Sequence, residues 1–251
     1  MRKIRKQYDR SCFEHYNYAH RGLHDIRNGI PENSLAAFEA AALNGYGAEL
    51  DVQLSKDGHV VVFHDDTLDR VCGVRGNVCD YDLKDLRSMK LLGTEMTIPL
   101  FTEVLKTLSK GGGPLIVELK TGSRNRELCR KTLSILKHYK GVYCIESFDP
   151  FIVRWFKKNA PEVFRGQLAQ PAEHYPESIS RIAALVLSRC MLSFLNRPDF
   201  IAYENTVRPK KILRLRKKGL LLFAWTSRKP YIDQKKNDAV IFELYRPSLR
   251  Y

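Results

Sequence analysis

From residue 115 onward the chain repeats one unit, a short apolar run followed by a helical stretch, and no other feature narrows its fold as much. The apolar runs fall at 115–119, 142–147, 163–168, 200–203, 220–225 and 239–242. Between them, 125–138, 176–195 and 209–218 read as helices, and Asp149-Pro150 opens another with a cap residue followed by proline at the first helical position. Strands that are apolar at successive positions are buried on both faces, which implies a parallel sheet with helices outside. With two earlier strands, at 18–21 and around residues 49–52, the count reaches the eight of a closed TIM (β/α)8 barrel. A length of 251 residues suits one such domain spanning 1–251. Residues 65–96 are polar and punctuated by Gly73, Gly76 and Gly93. They interrupt the alternation and read as a small insertion after the second strand. Only nine residues follow Phe242, so the last helix is expected to be short or missing, with the basic, aromatic arm 1–17 available to substitute for it. A membrane-touching arm or a loose end are the other readings of 1–17.

Charge limits what such a barrel would meet. The formal charge of +14 suits attraction to phosphoesters, an anionic membrane or nucleic acid. No motif that reads DNA or RNA accompanies it, so a solvated basic surface is preferred to a nucleic-acid role. Six scattered cysteines without C-x-x-C spacing argue against a zinc site and for reduced thiols. The N-terminus lacks the apolar core of a secretory signal, and no run has the length of a membrane span. The expectation is a cytoplasmic protein, with peripheral membrane contact as the alternative.

The chemistry-bearing residues crowd into 18–64. Tyr18 to Arg21 reads as a short strand ending in His20 and Arg21, with Gly22 allowing a turn. Glu32 precedes a helix capped by Asn33 or Ser34 and stopped by Gly45. Glu49 and Asp51 alternate with Leu50 and Val52, so both carboxylates share one face of a strand. Such neighbours repel unless a cation sits between them or one stays protonated. Lys56-Asp57-Gly58 is a turn signal, and the β run 60–63 ends at His64.

The ordered pieces His20-Arg21-Gly22, Pro31-Glu32-Asn33-Ser34 and Glu49-x-Asp51-Val52-Gln53, continuing through Asp57-Gly58 to His64-Asp65, resemble the glycerophosphodiester phosphodiesterase family. The similarity continues through 98–104, 115–120, Ser147-Phe148 and Ala224-Trp225-Thr226, which is most of the chain. The resemblance implies a TIM barrel in the phosphatidylinositol-phosphodiesterase-like superfamily. Its implied activity is metal-dependent hydrolysis of glycerophosphodiesters to an alcohol and glycerol 3-phosphate. Glu49, Asp51 and Glu118 match the family's metal ligands, with Glu32 in the same polar cluster. An all-oxygen set suits Mg²⁺ or Ca²⁺, with Mn²⁺ as a third option. The competing structural reading pairs Glu49 and Glu118 with Arg21 and Lys120. His20 and His64 match the general base and general acid.

Arg21 and Lys120 are expected to hold phosphate oxygens. Phe148 and Trp225 are expected either to wall the alcohol part of the substrate or to fill a barrel layer. The expected partner is a small glycerophosphodiester, with anionic membrane contact as an addition and no nucleic acid. The oligomeric state is not readable from the sequence. Alternatives are lysophospholipase D-type or phospholipase-type cleavage of a membrane lipid, favoured by the charge and the apolar stretch 179–194, and a catalytically retired barrel that binds anionic lipid. The chain departs from the family pattern at Ser227-Arg228, where an Asn is usual, and in 239–243, which lacks the usual glycine and Thr-Asp. Those departures bear on substrate choice rather than on competence.

Overall fold

A computed structural model describes residues 7–111, 113–229 and 236–251. The chain divides into two compact units, residues 18–143 and residues 1–17 with 144–251. Eight parallel strands alternating with helices give the TIM (β/α)8 class.

In the unit 18–143, strand β1 (Asn17–Ala19) pairs in parallel with β2 (Gly47–Leu54), Tyr18 opposite Gly47 and Ala19 opposite Ala48. Helix α1 (Leu35–Leu43) links them. Ser34 caps it, its Oγ accepting from the Ala37 N–H at 3.1 Å, and Gly45 takes the left-handed conformation beyond its end. Gly22, at φ 78°, lies so close to Ala37 that a Cβ would sit 2.8 Å from that residue's carbonyl carbon. Glycine is therefore required where the chain turns from β1 toward α1.

Strand β3 (Val60–Val62) runs antiparallel to β2. It is a hairpin arm rather than a ninth barrel strand, because the turn through Lys56-Asp57-Gly58 is too short for a parallel crossover. Residues 65–96 form the expected insertion, with short helices α2 (Asp69–Cys72) and α3 (Leu83–Leu86). They bury Leu68, Val71, Val78, Leu86 and Leu91 against Val61 and Phe63 of the hairpin. At about 1.5–3 kcal/mol for each large apolar side chain, this satellite core holds the insertion as folded structure. Helix α4 (Phe101–Leu108), strand β4 (Leu115–Leu119) and helix α5 (Asn125–Leu136) complete the unit, β4 lying parallel to β2.

The other unit carries strands β5 (Tyr143–Ser147), β6 (Phe164–Ala169), β7 (Phe200–Glu204), β8 (Leu221–Ser227) and β9 (Ala239–Phe242), each parallel to the next. Asp149 caps α6 (Pro150–Asn159) as its Asp-Pro start predicts. The helix expected over 176–195 is instead two shorter ones, α7 (Arg181–Ser188) and α8 (Ser193–Asn196). Cys190 breaks it by adopting φ 47°, and the Met191 N–H reaches back to the Val186 carbonyl at 3.0 Å. Helix α9 (Lys210–Lys217) stops before Gly219, also at positive φ. Among the described residues no helix follows β9.

The arm covers part of this unit. Phe13 is buried and heads an aromatic stack through Phe164, Phe200 and Phe223, with centroid spacings of 4.6, 5.9 and 4.3 Å. Phe164 and Phe200 open β6 and β7, so the arm packs at the N-terminal ends of those strands. Tyr251 N–H donates to His15 O and Asn17 N–H to Leu249 O, so arm and tail are bonded to each other. Residues 1–6 lie outside the described residues. No helix among the described residues is long and apolar enough to cross a membrane.

Candidate active site

Glu49 and Asp51 project from one face of β2, while Leu50 and Val52 bury the other face completely. In the parallel register Asp51 stands opposite Glu118 of β4. Carboxylate oxygens of Glu49, Asp51 and Glu118 all lie within 4.8 Å of one another, and all three residues are buried. Three like charges so close cannot persist unbalanced. Lys120, just beyond β4, places its Nζ 2.9 Å from Glu118 Oε1 and 3.6 Å from Asp51 Oδ1. Burial opposes its charge, but Glu118 and Asp51 prevail and raise its pKa.

Arg21 adopts the left-handed φ of 53°, which a non-glycine residue reaches at a cost of about 1–2 kcal/mol. That geometry aims its N–H at Glu49 Oε2, 3.0 Å away, while its guanidinium donates to Glu32 at 2.7 Å. Asn33, also left-handed, donates its Nδ2–H to Asp51 Oδ2 at 2.9 Å. The other Asp51 oxygen, Oδ1, is buried without a hydrogen bond among the described residues.

Protonation follows this geometry. Burial alone would raise the Asp51 pKa, yet the charges of His64, Lys120 and Arg21 hold it well below the carboxylate range. Glu118 moves the other way, raised by burial and by Asp51 despite Lys120. Glu118 and Asp51 thus shift in opposite directions, as expected of a carboxylate cluster short of positive charge.

The two histidines lie on different segments of the unit 18–143. His20 directly follows β1, whose Ala19 pairs with Ala48, so it stands level with Glu49. His64 arrives by the hairpin: the Phe63 N–H donates to Asp51 O at 3.0 Å and returns the chain alongside the carboxylates. The amide of Gln53 donates to the carbonyls of Phe63, His64 and Asp65 at 2.7–3.2 Å and pins that return. In the other unit Phe148 and Trp225 meet edge to face at 5.7 Å, with Tyr175 6.2 Å from Phe148. Both Phe148 and Trp225 are half-buried.

Comparison with known proteins gives this arrangement a family. Residues 20–242 match the family model described as the glycerophosphoryl diester phosphodiesterase family. The chain belongs to that family.

A glycerophosphodiester phosphodiesterase of Caldanaerobacter subterraneus subsp. tengcongensis is 31% identical over 231 residues, covering 87% of this chain and 86% of the relative. The solved structure of a glycerophosphodiester phosphodiesterase from Thermotoga maritima is similar at 26% identity and a TM-score of 0.67, over 90% of this chain and 93% of that one. A phosphodiesterase of Oleispira antarctica, solved with the product sn-glycerol-3-phosphate, shares the fold at TM-score 0.76 and 24% identity, over 91% and 93% of the two chains. As a member of the glycerophosphoryl diester phosphodiesterase family, the chain is a phosphoric diester hydrolase on a TIM barrel. That family is metal-dependent, and the Glu49–Asp51–Glu118 cluster is able to hold an ion.

The fold gathers His20, Arg21, Glu32, Glu49, Asp51, His64, Glu118 and Lys120 into the single unit 18–143. Glu32, expected in the same polar cluster as the metal ligands, joins it through Arg21. Its two oxygens accept from Arg21 and Arg70, so it serves guanidinium groups. Of the pairs in the competing structural reading, Glu118 with Lys120 is present, and Glu49 accepts from the backbone N–H of Arg21. Sequence reading missed Asn33, Gln53, Asp65, Arg70 and Tyr175. Asn33 alone left a local signal, since asparagine is the side chain that most readily takes a left-handed φ.

Proposed function

We propose that the chain, acting as one 1–251 domain, hydrolyses a small glycerophosphodiester to an alcohol and glycerol 3-phosphate, with His20 as general base and His64 as general acid. The carrying observation is the buried Glu49–Asp51–Glu118 cluster, with Asp51 Oδ1 lacking a hydrogen bond among the described residues. These hard oxygen donors fit Mg²⁺ or Ca²⁺, and Mn²⁺ would be accepted on the same grounds. Such an ion supplies Lewis-acid stabilisation of charge on phosphate oxygens. Arg21 and Lys120 hold the non-bridging oxygens and offset charge that grows as the phosphorus centre crowds. His20 takes the proton of the attacking glycerol hydroxyl and His64 gives one to the departing alkoxide, and water then opens the cyclic phosphate to glycerol 3-phosphate.

Phe148 and Trp225 offer aromatic walls to the alcohol. The product bound to the Oleispira antarctica relative supports this substrate class. A cytoplasmic setting, where the thiols of Cys129, Cys144 and Cys190 stay reduced, accompanies the reading. A catalytically retired barrel is disfavoured by the complete set of acidic, basic and imidazole groups. A second reading, action on a lipid at an anionic membrane, rests on one observation. Ile182, Met191 and Phe194 are 78%, 49% and 72% exposed on the 179–194 segment, beside Arg181 and Arg189.

One experiment separates these outcomes. The purified protein is assayed on soluble glycerophosphodiesters and on lysolipids in anionic vesicles, before and after exhaustive chelation. Turnover of the soluble diesters, lost on chelation and restored by Mg²⁺ or Ca²⁺, is expected. Full activity after chelation refutes the metal assignment, and turnover confined to vesicles replaces the first substrate class with the second.

A further inference from the structure

Arg70 belongs to the insertion, on α2, and its side chain is 48% exposed. Exposed arginines ordinarily spend their donors on water. This one bridges two carboxylates. Its Nε and Nη2 donate to Asp65 at 2.6 and 2.8 Å, and its Nη1 and Nη2 donate to Glu32 at 3.0 and 2.7 Å. Each of those carboxylates has a second partner in the acid–base and phosphate-holding set. Asp65 Oδ1 lies 2.6 Å from His64 Nδ1, and Glu32 Oε1 accepts from Arg21 Nη1 at 2.7 Å. An unbroken chain of charge-assisted contacts therefore runs His64–Asp65–Arg70–Glu32–Arg21.

We infer that Arg70 is a positioning residue of the phosphodiester reaction, fixing the His64 ring through Asp65 and the Arg21 guanidinium through Glu32. The inference rests on the proposed roles of His64 and Arg21. With Nδ1 held by Asp65, Nε2 is the nitrogen left to face the reacting atoms. Without Arg70, Asp65 loses the fork that holds its plane, and the imidazole is free to swing with it. Glu32 would then have both oxygens for Arg21 and would draw that guanidinium away from a phosphate. One lost side chain thus harms the acid and the clamp together. Only a guanidinium serves, because its planar fork can meet two carboxylates in two-point contacts and a lysine ammonium cannot.

The predicted signature is a split of kinetic constants that a merely structural role would not give. Asp65→Asn should lower kcat roughly 10–100-fold with KM nearly unchanged, the size expected for a misaligned catalytic group. Glu32→Gln should raise KM about 3–10-fold with a smaller loss of kcat, since it loosens binding of substrate and transition state alike. Arg70→Ala should show both effects, and Arg70→Lys should recover little of either. Arg75→Ala, another exposed cation of the insertion, is the control expected to change neither constant. Melting temperatures accompany each variant. Arg70→Ala that keeps kcat and KM within about twofold of the parent, while His64→Ala is inactive, overturns the inference and leaves the reaction assignment standing. Losses that merely track melting temperature, without the split, overturn it too. Should His64→Ala also be fully active, the functional reading itself fails.

Discussion

Both units bury charged groups, and they handle them in opposite ways. In the second unit Arg165 is 6% exposed, and its guanidinium donates to the backbone carbonyls of Pro161, Val163 and Arg197. Its charge meets fixed dipoles and the flanking Asp199, although its buried Nε makes no hydrogen bond among the described residues. In the unit 18–143 the buried charges face one another: three carboxylates, a lysine and an arginine held in strained backbone. Burial itself therefore does not mark a site. A buried ion satisfied by backbone stabilises a fold, whereas buried ions that balance only as a group are poised to accept a ligand.

The sharpest way to break this contrast is at the histidines beside the carboxylates. His20→Ala and His64→Ala should each lower kcat by roughly 10²–10⁴-fold, and the double variant should lose far less than the product of the two. Steady-state kinetics of the three variants decide it, and additive losses would mean that the two do not act together.

Next in size is the carboxylate pocket. Asp51→Asn should cost on the order of 10²–10³-fold in turnover, partly recovered at high Mg²⁺ or Ca²⁺. The pocket's protonation adds a pH dependence with a definite sign. Glu118 is raised, so its proton stabilises the ion-free fold below the ordinary glutamate pKa of about 4.3. That stabilisation is lost as pH rises through the higher folded value, and the same proton competes with a metal. Calorimetric titration with Ca²⁺ should show affinity rising as the pH is raised above the ordinary glutamate range. A flat profile would remove the shared-proton account.

Arg165 tests the other side of the comparison. Arg165→Met should strand its backbone acceptors and destabilise by about 1–3 kcal/mol, lowering the melting temperature by roughly 2–4 °C for each kcal/mol. The kcat of the folded fraction should not move. A catalytic defect at full stability would show that the two units do not divide the work this way.

The smallest effect is expected on α9. Replacing Lys210, Lys211 and Lys217 with glutamine should change stability by no more than about 0.5 kcal/mol each and leave turnover of soluble diesters unchanged. Salt-sensitive binding to anionic vesicles that vanishes in this variant would instead make α9 a membrane contact.

Much of the active unit is legible in sequence because it is local. Strand alternation puts Glu49 and Asp51 on one face, and a short turn returns His64 within a few residues of them. Alternation says nothing of strand direction, so the antiparallel course of β3 emerges only from the length of its turn. Longer-range pairings leave no periodic trace. Glu32 and Arg70 are 38 positions apart and meet only after the insertion has folded. The split of 176–195 is equally silent, since neither glycine nor proline marks the break at Cys190. Phe148 and Trp225 were readable as strand-end aromatics, while Tyr175, on the loop between β6 and α7, was not.

The bonds between arm and tail set an order on the making of the protein. Residues 18–143 are contiguous, so that unit has all its own contacts once residue 143 has left the ribosome. His15 and Asn17 emerge before that unit and must wait for residues 249–251, which at about 5–20 residues per second means a delay of more than ten seconds. Until residue 164 emerges Phe13 has no Phe164 to stack on, and its ring is surface a chaperone can hold. Loss of residues 249–251 would therefore leave the unit 18–143 whole in sequence and remove the backbone bonds that hold the arm on the other unit.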